Sequence, residues 1–150
     1  MRVLSAPSTE CPALLQRVLM GESYRDLFVW RESVEVAASI VTLTDEFPKP
    51  KCFALIDQMQ RSAISVPSNI AEGKGRLTTR ELRHFVCIAR GSLFELQTQL
   101  EIARKLNLIE PHAYENLLPR MQKIGVGINN WLRKLNLTIL NTSKPKHLNT

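Results

Sequence analysis

The sequence predicts an all-α fold: an antiparallel up-down-up-down four-helix bundle with a kinked second helix. Three observations carry this expectation. Four stretches between residues 24 and 136 repeat apolar side chains at three- and four-residue spacing, the period of a helix with one buried face. Prolines, glycines or an asparagine separate those stretches, and the connections near 49–52, 73–78 and 107–111 are short enough to favour antiparallel neighbours. No segment alternates apolar and polar residues as a strand would.

The first helix opens at Tyr24-Arg25-Asp26. Leu27, Trp30, Val34, Ala37, Val41 and Thr44 give its period, and the helix ends near Phe47, where Pro48 and Pro50 stop it. The second runs from about Phe53 to Glu72. Met59, Ala63, Val66, Pro67, Ile70 and Ala71 share one side, and Arg61, Ser65, Ser68, Asn69 and Glu72 share the other. Pro67 lacks the donor that would satisfy the Ala63 carbonyl, so a bend is expected there. Gly73 and Gly75 then turn the chain.

Thr78 and Thr79 are candidate caps for the third helix. Its core stripe is Leu82, Phe85, Val86, Ala89, Leu93, Leu96, Leu100 and Ala103, and it ends near Asn107, a residue that tolerates a left-handed turn. Pro111 suits the first turn of the fourth helix. Tyr114, Leu117, Met121, Ile124, Ile128, Trp131 and Leu135 form the buried face of that helix, and Gly125 and Gly127 mark a close helix approach. The domain reading is an N-terminal extension over 1–22, with a short helix around Ala13 to Met20, a bundle over 23–138, and a flexible basic tail over 139–150.

One core suits a chain of 150 residues with 44% hydrophobic content. No apolar run reaches the roughly 18 residues a membrane span needs, so no membrane association is expected. Glu10 and Glu22 bound only a weakly apolar patch, which argues against a signal peptide. Cys11, Cys52 and Cys87 are odd in number, far apart and form no CxxC pair; that usage fits a reducing compartment, and the cytoplasm is expected.

The net charge of +6 is unevenly placed. Between residues 73 and 90, Lys74, Arg76, Arg80, Arg83 and Arg90 face only Glu81; from Arg133 onward the chain has basic residues and no acidic ones. Such patches fit a polyanionic partner, although a basic surface also serves solubility alone. Arg61, Arg76, Arg80 and Arg83 are the expected phosphate contacts, with Lys74 and Arg90 as weaker ones, because a guanidinium offers several fixed donors to phosphate oxygens. Ser68, Asn69 and Glu72 read equally well as a polar network that fixes the end of the second helix.

The third helix carries a second strip, His84, Cys87, Gly91, Phe94, Thr98 and Ile102. Contact with another copy of the chain accounts for it, as does thick packing inside one chain.

Catalytic chemistry finds little support. His84, His112 and His147 lack ligand spacing, and a lone His84–Cys87 pair does not close a zinc site. The carboxylates are scattered, the serines lack a base arrangement, and GKGR is too short for a Walker loop. The expectation is a non-enzyme without metal or cofactor.

The strings YRDLFVW at 24–30, QMQRSAISVPSNIAEGKGR at 58–76 and ELRHFVCIARGSLFELQTQLEIARKLNLI at 81–109, with the fourth helix to about Leu135, resemble the bacterial four-helix proteins encoded by intervening sequences within large-subunit ribosomal RNA genes. The uninterrupted run Pro67 to Gly73 carries the family motif, while Cys87 and Arg90 depart from its usual small or apolar residues. The resemblance implies a left-handed antiparallel bundle and a homo-oligomer, with a pentamer favoured. It also points to a related branch, the accessory proteins of diversity-generating reverse transcriptases, which are basic and bind polymerase and nucleic acid. The resulting expectation is an oligomeric bundle that binds RNA or DNA, as an adaptor for a polymerase or ribonucleoprotein. The alternative is a structural protein–protein interaction module with no direct nucleic-acid binding.

Overall fold

A computed structural model describes residues 23–142. The expected short helix at Ala13–Met20, Cys11, His147 and the last basic residues lie outside the described residues. A 3-10 turn at Tyr24–Asp26 leads into four helices: α1 (Phe28–Asp45), α2 (Lys49–Lys74), α3 (Thr79–Lys105) and α4 (Pro111–Thr142). No strand occurs among the described residues. Consecutive helices pack side by side and α4 returns to α1, closing a four-cornered bundle.

The helix ends follow local chemistry. Ser23 caps the 3-10 turn through the Arg25 N–H. The Thr78 hydroxyl accepts from the Glu81 N–H and donates to the Glu81 carboxylate, capping the start of α3. Asn107 has φ 55°, the left-handed turn its side chain tolerates, and Pro111 opens α4. Two boundaries differ from expectation. Pro48 is the N-cap of α2 and Pro50 sits in its first turn, where the missing N–H has no partner to lose. The helix therefore begins at Lys49, and the expected loop at 49–52 is its first turn. At the other terminus α4 runs to Thr142, so residues 139–142 are helical and not part of a tail.

Pro67 is buried within α2, and the helix continues on both sides of it to Lys74. Pro119 likewise sits inside α4 on its exposed side.

The core is built mainly from the expected stripes. Met59, Ala63, Val66 and Ile70 of α2, Leu82, Val86, Ala89, Leu93, Leu96, Leu100 and Ala103 of α3, and Leu117, Met121, Ile124, Ile128 and Leu135 of α4 are all buried, whereas Phe85 of the expected α3 stripe is only half-buried. In α1 the buried face is rotated from the expected one. Val29, Ser33, Val36, Ala37, Ile40 and Thr44 face inward, while Val34 and Val41 are only half-buried. The two buried hydroxyls are satisfied within the helix: Ser33 donates to the Val29 carbonyl at 2.5 Å and Thr44 to the Ile40 carbonyl at 2.9 Å.

Gly127 lies close against α1. A Cβ added there would lie 2.5 Å from Val29 Cγ1, so only glycine permits this approach of α4 to α1. The contact between α2 and α3 is partly polar. Ser62 donates to Gln99 Oε1 at 2.6 Å, Ser65 and Ser92 share a hydroxyl hydrogen bond of 2.8 Å, and Asn69 Nδ2 donates to the Ser65 carbonyl and hydroxyl. Among the described residues no buried side-chain nitrogen or oxygen lacks a partner.

Candidate nucleic-acid interface

Antiparallel topology brings the α2–α3 turn, the start of α1 and the end of α4 to one end of the bundle. Two basic stretches far apart in sequence meet there. Lys74, Arg76, Arg80 and Arg83 come from the turn and the start of α3, and Arg133 and Lys134 come from the last turns of α4. A direct contact joins them: Arg83 Nε donates to Asn136 Oδ1 at 2.5 Å. Arg80, Arg83, Asn136, Ile139 and Leu140 line an open groove of about 560 Å³.

The state of each cation decides what it offers a ligand. No hydrogen bond or ion pair engages Arg80 among the described residues, and Arg83 touches only a neutral amide, so both keep their full charge for an anion. Arg76 pairs with Glu72 across one turn, and its Cζ lies 4.6 Å from the centroid of the Phe85 ring. The Lys74 ammonium is half-buried, and loss of water pushes its pKa below the ordinary lysine value. Arg90 lies further along α3 and reaches Asn129 Oδ1 at 3.5 Å, a long contact.

Arg61 is not part of this cluster. It pairs with Asp57 at 2.9 Å, and the helix from Arg61 to Lys74 puts it roughly 20 Å along the axis from the turn that carries Arg76. The expected Ser68–Asn69–Glu72 group also divides. Asn69 belongs to the half-buried seam with Ser65 and Ser92. Ser68 is exposed and donates to the Ile64 carbonyl of its own helix, and Glu72 is an exposed partner of Arg76.

On α3 the second strip faces outward. His84, Gly91, Phe94, Thr98 and Ile102 are exposed, and Cys87 is half-buried against the core. A Cβ on Gly91 would meet nothing within 4 Å, and Phe94 is 51% exposed. Packing within the chain therefore leaves this strip largely uncovered. Sequence reasoning missed Asn136 and Leu140 as parts of the basic end, since Asn136 lies past the buried stripe read for the fourth helix and Leu140 in the expected tail.

Among the described residues, no group of three or more His, Cys, Asp or Glu side chains is placed to hold a metal ion. Nor is any helix there long and apolar enough to cross a membrane.

A family model described as 23S rRNA-intervening sequence protein matches residues 25–130. The match covers more than half of the chain, and the protein belongs to that family. It includes the α2–α3 turn and the start of α3; Arg133, Lys134 and Asn136 lie beyond it. No curated protein matches the chain.

Proposed function

We propose that the protein is a non-enzymatic, oligomeric bundle that binds RNA or DNA through the basic end, as an adaptor for a polymerase or ribonucleoprotein. One observation carries this reading: Arg80 and Arg83 line an open groove, and among the described residues no acidic partner engages either of them. A polyanion supplies the missing counter-charge and releases its own counterions on binding. Arg76 and Lys74 extend the positive surface at the turn, with Arg133 and Lys134 on the neighbouring helix. Arg61 and Arg90 are secondary contacts, reached only by a ligand that runs along the bundle.

Assembly would multiply this effect by placing several basic ends within reach of one strand. The outward strip of α3 supports assembly, with Phe94 and Ile102 as its apolar anchors at 51% and 44% exposure. A homopentamer, and kinship with the accessory proteins of diversity-generating reverse transcriptases, rest on the family resemblance. The same strip supports a second reading, a protein–protein interaction module whose partner is another protein surface.

Filter binding to a 20-nucleotide RNA and the corresponding DNA, across a salt series, tests the main reading. Affinity should fall steeply with salt, and Arg80→Gln with Arg83→Gln should flatten that slope. No binding at low salt would reject nucleic acid as the ligand and leave the protein module. Sedimentation equilibrium tests assembly. A concentration-independent mass near one 17.1 kDa chain would reject it.

A further inference from the structure

The basic end is not uniformly polar. Leu77 in the turn is 91% exposed, and Leu137 and Leu140 at the end of α4 are 57% and 61% exposed. Leu77 follows Arg76 in the chain, and Leu140 lines the groove with Arg80 and Arg83. Arg76 itself is unusually constrained for a surface arginine. Its Cζ lies over the half-buried Phe85 ring, 4.6 Å from the centroid, and its Nη2 is held by Glu72. Its side chain remains 41% exposed, so the guanidinium is held at two contacts while part of it still meets solvent.

We infer that this end takes an unpaired nucleic-acid strand in preference to a duplex, with the Arg76 guanidinium as a stacking platform for one base. The inference rests on the nucleic-acid reading above and adds the form of the ligand. A duplex hides its base faces and presents sugars and phosphates. Exposed leucines set against those groups would remove water from phosphates and gain nothing in return. An unpaired strand offers apolar base faces between its phosphates. Leu77 and Leu140 can cover such faces, and a guanidinium already stacked on an aromatic ring can carry a base on its other side. Arg80 and Arg83 then hold the phosphates on either side of the groove. Charge complementarity thus selects an anionic chain, and the leucines with the oriented Arg76 plane select the unpaired form.

The experiment is fluorescence anisotropy with the full chain and a labelled 20-nucleotide strand, alone and annealed to its complement, at matched salt. The single strand should bind at least tenfold more tightly. Arg76→Lys keeps the charge and removes the plane. It should weaken single-strand binding roughly tenfold, leave the salt slope unchanged and barely affect the duplex. Leu77→Ser with Leu140→Ser should act the same way. Arg80→Gln with Arg83→Gln should instead weaken both forms and flatten both slopes. Thermal melting of each variant checks that the bundle is intact. Equal or tighter binding of the duplex overturns the inference while the nucleic-acid reading stands, as does an Arg76→Lys variant that binds the single strand like the parent. Binding to neither form overturns both readings. Tighter binding to anionic phosphatidylglycerol vesicles than to the strand would assign the leucines and arginines to a lipid surface and overturn the inference.

Discussion

At the end of the bundle formed by the α3–α4 turn, Arg104 donates to both oxygens of Glu101, and the Tyr114 hydroxyl donates to Glu101 Oε2 at 2.7 Å. Arg104 also lies over the Tyr114 ring at 5.2 Å. The pairing holds the Glu101 carboxyl well below the usual carboxylate range, at about 2, chiefly through the hydrogen bonds from Arg104. At the opposite end, among the described residues, Arg80 has no such partner and Arg83 has only Asn136. Both ends carry arginines and both border open grooves. They differ in what answers the charge. An arginine already neutralised by a fixed carboxylate must give up that partner to take a phosphate, whereas an arginine held by an amide does not. Basic content alone is therefore a poor guide to a polyanion site; the neighbours of each cation decide.

Neutralising each end in turn tests this difference with the largest effect. Arg76→Gln, Arg80→Gln and Arg83→Gln together should weaken single-strand binding roughly 100-fold near 0.1 M salt and lower the salt slope by about 2. Arg104→Gln with Lys105→Gln should change binding less than about twofold by the same counterion argument. Equal losses at both ends would mean that net charge, and not the arrangement of the basic end, drives association.

Two glycines sharpen a second contrast, between a closed contact and an open surface. Gly127→Ala forces a methyl group against Val29 and should destabilise the fold by about 1–3 kcal/mol in chemical denaturation. Gly91→Ala meets empty space and should stabilise the isolated chain by about 0.5–1 kcal/mol, because alanine loses less backbone freedom in a helix. If α3 packs closely on another copy at this point, the same change should lower the assembled mass while raising chain stability. Sedimentation and unfolding of one variant thus read the two effects separately.

Next in size is the contrast within the polar side of α2. Asn69→Ala removes the donor to Ser65 in the half-buried seam and should cost about 1–2 kcal/mol. Glu72→Gln breaks an exposed pair one turn from Arg76 and should cost only about 0.2–0.5 kcal/mol. It also releases one of the two contacts that hold Arg76, so single-strand binding should weaken slightly. Thermal unfolding measured beside binding checks both; a larger stability loss at Glu72 than at Asn69 would invert the assignment.

Much of the fold was legible because apolar period and helix ends are local. Thr78 capping α3, Asn107 turning left-handed and Pro111 opening α4 each follow from one residue's own chemistry. The α1 face was less legible. Its apolar residues cover more than one side, and two of its inward residues, Ser33 and Thr44, are polar but satisfied by the helix's own carbonyls. Period alone cannot tell such hydroxyls from solvent-facing ones. The site was legible as charge but not as grouping. A projection down the helix axis puts Arg61 near Glu72 in angle and hides the rise that separates them. Asn136 enters only because α4 returns antiparallel beside α3, a contact between residues fifty-three positions apart.

The smallest effect separates the two ends by pH. Glu101 is held at about 2 in the folded chain, below the ordinary carboxylate value of 4.5. A depressed carboxylate pKa gives stability that is present above the unfolded value and lost as pH falls through the folded one. The loss should begin near pH 4.5 and continue toward about 2. Glu101→Gln removes the titrating group, so the acid limb of a stability–pH curve should be shallower in the variant over that window. Tyr114 responds in the other direction. Its hydroxyl donates to Glu101, which raises its pKa above 10, so the bond's contribution is present at neutral pH and lost on deprotonation at higher pH. Tyr114→Phe should remove that alkaline component and leave the acid limb governed by Arg104. Arg80 and Arg83 sit at the opposite end of the bundle, so neither change should alter nucleic-acid binding at neutral pH. A shift in binding with either variant would show that the two ends are coupled through the length of α3 and α4, and would break the separation on which the comparison stands.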